Sequence, residues 1–434
     1  MKKTILIHAT VITVNEQNEV IHDGAVAFEG DKITYVGPTP EDLSDAGYDE
    51  VIDQKGDFIL PGLINTHGHA GMSLLRGYAD DLPLQQWLEE KMWPLEAQFT
   101  ADSVKWGTQL SLIEMIRTGT TTFVDMYDHM DEVAKAVDAS GMRARLCRGM
   151  IGLCSEEERQ TKLRDATAFA KEWHNQADGR ITVMMAPHAP YTCSPEFISQ
   201  IIEKADELSL PLHIHMSETA WEVGQNEKDY GLRPVAHLEK LGMFNRPTLV
   251  AHAVHLTDEE IDILAKYQVK VSHNVVSNLK LASGVAPVPK MLAKGVSVSL
   301  GTDSSASNNN LNLFEELKLA AILHKGGNND PVAVPAEEAL RMATRYGADG
   351  VFQADTLGSI EVGKKADLIV LDSHQAHFHP AHEPISHVVY AANGRDVKDT
   401  IVAGKFLMRN HKLLTIDEER AIYEANRVFA ALKR

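Results

Sequence analysis

Apolar residues in the middle of the chain come in short runs, and most of the runs end on a polar or ionisable side chain. Residues 59–64, with Pro61-Gly62 inside the run, lead through Asn65 and Thr66 to His67 and His69. Residues 120–124 lead to Asp125, 143–146 to Arg148, 181–186 to His188 and 212–214 to His215. Residues 249–251 lead to His252, 269–272 to His273, and 296–300 to Gly301-Thr302-Asp303. Runs this short and this apolar predict strands buried on both faces, as in a parallel sheet. Helical stretches lie between them. One covers 101–117 and is stopped by Gly119. Another starts at Ser194-Pro195, an N-cap followed by proline at the first helical position. A third opens on the capping box Thr257-Asp258-Glu259-Glu260.

The two ends of the chain have a different rhythm. Residues 5–14, 25–28 and 32–36 predict short strands, with turns at Asp23-Gly24 and Gly30-Asp31. Residues 367–371, 387–390 and 399–402 repeat that β pattern, with turns at Asn393-Gly394 and 403–405, and a helix over about 417–432 closes the sequence. Neither end is long enough to bury a core alone. The expectation is an α/β protein: a (β/α)₈ TIM barrel over 58–357, with a small β-sandwich domain formed from both chain ends, 1–57 and 358–434. Such a barrel carries its active site at the C-terminal ends of its strands. A doubly wound open sheet is the alternative, but it gathers ligands at one switch point. Here the polar strand ends come from many strands and are easiest to bring together in a ring.

The length of 434 residues accommodates one large domain and a smaller one, and 44% hydrophobic with 24% charged residues is ordinary for a globular chain. The formal net charge of −19 argues against nucleic acid or an anionic membrane as partner, since both need a basic face. Three cysteines, Cys147, Cys154 and Cys193, with no Cys-x-x-Cys, argue against a disulfide framework or a thiolate zinc site. The apolar run after Lys2-Lys3 is interrupted by His8, Thr10 and Asn15, so it reads as a strand and not as a signal peptide. No stretch approaches 18 uninterrupted apolar residues. The chain reads as a cytoplasmic protein acting on a small molecule, and a homo-oligomer is compatible with the sequence.

His67-Gly68-His69 carries the first chemical signal. In extended backbone, residues two apart point the same way, so one strand end would aim both rings at one point. With His215 and Asp303 at other strand ends, the set offers three imidazole nitrogens and one carboxylate to a divalent metal, with room for a water. Such an ion lowers the pKa of its water from 15.7 towards roughly 7. Each residue has a plainer explanation alone: a surface pair in a chain of 20 histidines, a core histidine, a helix N-cap. Their conjunction at successive strand ends favours the metal. Glu218, three residues after His215, puts a carboxylate at the pocket rim, within reach of the water and a substrate. The plain alternative is a first-turn helix acid. His252 is placed to hydrogen-bond the water or a developing alkoxide.

Pro-Gly-Leu-Ile-Asn-Thr-His67-Gly-His69, His215-Met-Ser-Glu218, His252 and Gly-Thr-Asp303 together resemble the amidohydrolase superfamily, over nearly the whole chain. The fourth strand ends in Ala-Pro-His188-Ala-Pro-Tyr191 and offers no lysine for a carbamate bridge, so the resemblance is to the mononuclear deaminase branch. Leu75-Arg76-Gly77, Leu88 with Trp93-Pro94-Leu95-Glu96, and residues 301–309 narrow it to enzymes acting on thioether derivatives of adenosine. The resemblance implies one divalent metal held by His67, His69, His215 and Asp303; zinc is expected and iron is compatible. It implies hydrolytic deamination of 5′-methylthioadenosine to 5′-methylthioinosine and of S-adenosylhomocysteine to S-inosylhomocysteine, with Glu218, His252 and Asp303 catalytic. Glu96 would hold ribose hydroxyls, Arg148 a substrate carboxylate, and His188 the nucleoside; Glu218 and Asp303 would also touch substrate. Trp87 and Met92 would line a slot for the thioether, core packing being the commoner use of such residues. Triazine chlorohydrolases and guanine deaminases share much of the pattern, so an aminohydrolase or chlorohydrolase acting on adenosine, guanine, pterin or triazine is the alternative.

Overall fold

A computed structural model describes residues 2–44 and 47–432. Strands from both chain ends hydrogen-bond into one nine-stranded sheet. Lys3–Ile12 pairs antiparallel with Val20–Glu29, which pairs in turn with Lys32–Pro38. Lys3–Ile12 also pairs parallel with Glu50–Asp53 and with Phe58–Pro61. The two ends join where Phe58–Pro61 pairs antiparallel with Leu368–Leu371, Leu60 lying opposite Ile369. Val397–Val402, Lys405–Arg409 and Lys412–Leu413 complete the order. The hydrogen bonding is continuous from one chain end to the other.

The run 59–64 therefore serves two sheets. Phe58–Pro61 belongs to the terminal sheet, which extends past residue 57, and Leu63–Asn65 pairs parallel with Thr120–Tyr127. Gly62 makes the transition: a Cβ there would lie 2.0 Å from the Thr121 hydroxyl, so only glycine lets the backbones approach this closely. Residues 66–69 lie beyond the strand. The two imidazoles thus converge from the turn that follows it, and not from alternate positions of one strand.

One expected strand is a helix. Residues 387–390 fall in Pro384–Ser386 and the π-turn His387–Ala391, with proline at the first helical position. Val388 and Val389 are both buried in one core. A strand would have sent these neighbours to opposite faces.

The remaining strands are parallel and form two arcs. Leu63–Asn65, Thr120–Tyr127 and Arg143–Met150 run in sequence order, with Ile181–Val183 and Ala186–Pro187 both on the edge of Arg143–Met150. Leu212–Met216, Thr248–His252, Lys270–His273 and Val298–Leu300 form the second arc. Backbone hydrogen bonds join the arcs at both ends. His213 N donates to Met185 O at 3.0 Å on one side; Thr66 N to Leu300 O and Asp303 N to His67 O, both 3.0 Å, do so on the other. Helices such as Ala101–Arg117, Pro195–Leu208 and Asp258–Lys266 follow the strands, the last two capped by Ser194 and Thr257 as the sequence indicated. A buried ion pair ties the terminal sheet to the parallel strands: Arg143 Nε donates to Asp367 Oδ2 at 2.7 Å, while Ala403 N donates to Asp367 Oδ1. With its remaining oxygen bonded, the acid leaves little uncompensated charge in the interior. No described helix is long and apolar enough to cross a membrane.

Candidate active site

A cavity of about 700 Å³ opens where the parallel strands end. His69, His215, Glu218, His252 and Asp303 line its inner end, and His67 lies fully buried behind them. His69 Nε2 is 3.2 Å from Asp303 Oδ1, His67 Nε2 is 3.5 Å from the same oxygen, and His215 Nε2 is 3.4 Å from His69 Nε2. Ligands at about 2.0–2.1 Å around a tetrahedral ion stand about 3.3 Å apart. The spacing is that of a coordination shell.

The opposite nitrogens decide what these rings present. His69 Nδ1 donates to Met126 O at 2.6 Å and His215 Nδ1 to His188 O at 2.7 Å, because a carbonyl only accepts. His213 Nδ1 donates to Leu249 O at 2.9 Å, which leaves its Nε2 to accept from His67 Nδ1, also at 2.9 Å. In the neutral rings all three Nε2 atoms face the centre with lone pairs; Asp303 beside His69 raises that imidazole to about 9 against its burial, and a bound cation would displace the proton it holds. His67 Nε2 is buried with no hydrogen-bond partner among the described residues, a cost that a metal would relieve. Burial holds the His67 and His215 imidazoles well below their ordinary pKa, hence neutral. Asp303 Oδ2 accepts from the hydroxyls of Ser277 at 2.6 Å and Ser307 at 2.8 Å, so Oδ1 stays turned to the imidazoles. The donor set fits a divalent cation.

Three residues around this centre, Ser217, His252 and Asp303, have positive φ (53°, 76° and 58°) without being glycine. Each sits at or just past a strand end, where the left-handed conformation redirects the chain at a cost of order 1–3 kcal/mol. His252 donates from Nδ1 to Asn278 Oδ1 at 2.8 Å, and its Nε2 lies 3.6 Å from Glu218 Oε2. Burial raises the Glu218 carboxyl above its ordinary pKa, and His252 opposes the rise. The turn carrying Glu218 is held from behind. The amides of Ser217 and Glu218 donate to the two oxygens of Glu222, each at 2.8 Å, and burial pushes that carboxyl up to about 8 against these donors.

The outer part of the cavity holds the other sequence candidates. Glu96 is capped by the Tyr127 hydroxyl at 2.5 Å, and burial raises its carboxyl. His188 lines the wall with Nδ1 on the Thr192 hydroxyl at 2.9 Å, and burial lowers its pKa to about 3. Arg148, Trp87, Leu88 and Leu153 line the same space. Met92 does not. The π-turn Leu88–Met92 rotates it into the core beside Leu95, so the expected thioether slot keeps Trp87 and loses Met92.

Sequence reasoning missed His213, Ser277, Asn278, Glu222, Ser307 and Tyr127. A signal existed for His213: it stands two before His215 and repeats the His-x-His spacing of His67 and His69. Tyr127 ends strand Thr120–Tyr127, two residues past the Asp125 that closes the apolar run, and Ser277, Asn278, Glu222 and Ser307 reach the site from loops and helices, where spacing is silent.

The sequence model described as the amidohydrolase family matches residues 58–407. A 5-methylthioadenosine/S-adenosylhomocysteine deaminase of Halalkalibacterium halodurans is 50% identical over 429 residues, 98% of this chain and 97% of the relative. A 5′-deoxyadenosine deaminase of Methanosarcina acetivorans is 48% identical over 425 residues, 98% and 97% of the two chains. Among solved structures, an adenosine deaminase from Xanthomonas campestris with bound zinc superposes with a TM-score of 0.92 at 35% identity, covering 99% of this chain and 98% of that one.

Proposed function

This chain belongs to the amidohydrolase family, and from that premise we propose that it hydrolytically deaminates the adenine ring of 5′-thioether nucleosides. 5′-Methylthioadenosine becomes 5′-methylthioinosine, S-adenosylhomocysteine becomes S-inosylhomocysteine, and each releases ammonia. One observation carries the reading: His69, His215 and Asp303, with His67 directly behind them, and Glu218 share a single cavity with Glu96 and Arg148. On this reading the backbone bonds at both ends of the two arcs close a (β/α)₈ barrel over about 62–357. The nine-stranded sheet from the two chain ends is then a separate small domain.

His67, His69 and His215 through Nε2 and Asp303 through Oδ1 would hold one divalent ion, and the nitrogen-rich set favours zinc. When bound, the ion acidifies a water so that it is nucleophilic near neutral pH. His252, with its Nδ1 proton committed to Asn278, offers Nε2 as an acceptor that orients the water. Glu218 takes one water proton and passes it to the ring nitrogen beside the amino-bearing carbon, which removes the aromatic resistance to attack. Asp303, steadied by Ser277 and Ser307, carries the second water proton to the amino group, which leaves as ammonia. The carbon keeps the water oxygen as a carbonyl and the ring nitrogen keeps its proton. Glu96 accepts from ribose hydroxyls, neutral His188 contacts the nucleoside, and Trp87 packs on the thioether. Arg148 receives the carboxylate of the homocysteine tail with a planar fork suited to two parallel bonds.

The test is ammonia release by metal-replete protein from methylthioadenosine, S-adenosylhomocysteine, adenosine, guanine and a chlorotriazine. Turnover of the two thioether nucleosides above the rest is the expected result; preference for guanine or chloride release from the triazine would overturn it.

A further inference from the structure

Two charged side chains that the deamination chemistry leaves unused line the cavity, Lys162, whose Nζ donates to Ile151 O at 2.8 Å, and Asp128. Asp128 follows strand Thr120–Tyr127 directly, and its carboxylate lies 3.1 Å from Arg148 Nη1. The two differ in exposure: the Arg148 side chain is 14% exposed and that of Asp128 is 60%. The arginine is therefore fixed in the wall, while the acid faces open space.

The pair is also incomplete on one side. Arg148 Nη1 bonds to Gly149 O at 3.2 Å and faces Asp128, but Nε and Nη2 donate to no described residue. Asp128 Oδ1 accepts the His129 amide at 2.6 Å and meets Arg148, which leaves Oδ2 without a hydrogen bond among the described residues. Free donors on a cation stand beside a free acceptor on an anion. The complement of such a pair is a ligand with an anion and a cation one carbon apart, which describes an α-amino acid zwitterion.

We infer that Asp128 is a specificity-determining residue that binds the α-ammonium group of S-adenosylhomocysteine while Arg148 binds its carboxylate. The inference rests on the deaminase reading above and narrows it. Held beside Arg148, Asp128 also selects against a 5′-thioether ending in a carboxylate alone, because it would repel that second negative charge without an ammonium group to offset it. Methylthioadenosine has neither charge and leaves the pair intact.

The experiment compares wild type and Asp128→Asn on three substrates: S-adenosylhomocysteine, methylthioadenosine, and the 3-carboxypropyl thioether of 5′-deoxyadenosine, which keeps the tail and lacks only the amino group. Asparagine keeps an oxygen for the His129 amide and the position is largely exposed, so folding is retained. The expected result is a fall of about 10- to 100-fold in the kcat/KM ratio of S-adenosylhomocysteine to the amino-free thioether, the size of one charge-assisted hydrogen bond. The ratio should move through KM, with kcat following little. An unchanged ratio, or an equal loss on both tailed substrates, would overturn the inference and leave Asp128 as a prop for Arg148. Ammonia from none of the three with wild-type protein would instead overturn the deaminase reading, and this inference with it.

Discussion

The two ends of the cavity are built in opposite ways. At the inner end nearly every polar atom is committed twice: each imidazole gives one nitrogen to a fixed acceptor and points the other at the centre, and Asp303 splits its oxygens in the same manner. At the outer end Arg148 and Asp128 keep free donors and acceptors, and Asp128 is open to solvent. The inner end cannot change one residue without disturbing its neighbour. On the proposed function, a change at Arg148 or Asp128 alters which tail fits. On that same function, chemistry is held by a closed network and the choice of tail by an open one.

The largest break in the inner end should come from Glu218→Gln. It keeps the shape and the accepting oxygen but cannot take a proton. Turnover of methylthioadenosine should fall by about 10²–10⁴-fold with metal content unchanged; near-normal kcat would remove Glu218 from the proton path. His213 touches no substrate, yet it sets the tautomer of His67. His213→Leu should weaken metal binding by about 10–100-fold in a chelator competition, and His213→Gln, whose amide oxygen can still accept, should recover part of it. Equal affinity in all three proteins would contradict the relay. At the outer end, Arg148→Leu should lower the kcat/KM ratio of S-adenosylhomocysteine to methylthioadenosine by about 10–100-fold, and equal loss on both would mean that the arginine serves the fold. The smallest effect is on pH. A general base must be ionised, and burial raises the Glu218 carboxyl. The acid limb of kcat/KM for methylthioadenosine should therefore lie above the ordinary glutamate pKa of about 4.3, and a limb below it would contradict the assignment.

The sequence made much of the inner end legible because its ligands follow apolar runs, and a strand end is visible in the hydrophobic pattern. His67, His69, His215, His252 and Asp303 all carry that mark. The helices with cap signatures, at Ser194 and Thr257, were equally plain. What stayed hidden depends on contacts that no local pattern encodes. Ser277 and Ser307 meet Asp303 from different segments, and Glu222 supports Glu218 from the first turn of the next helix. Met92 was misplaced because a π-turn shifts the helical face by one residue. Residues 387–390 were misread because two adjacent valines look like a strand until Pro384 starts a helix before them. The run at 59–64 looked like one strand, since nothing in its composition announces that Gly62 hands the chain from one sheet to another.

One titration tests the central claim most directly: metal-free protein receives zinc stepwise while ammonia release from methylthioadenosine is followed. The account expects activity to rise linearly to one ion per chain and then level off, with hypoxanthine-type product matching the ammonia. Full activity without metal, or a rise that continues to two ions per chain, would contradict a single centre held by three imidazoles and Asp303.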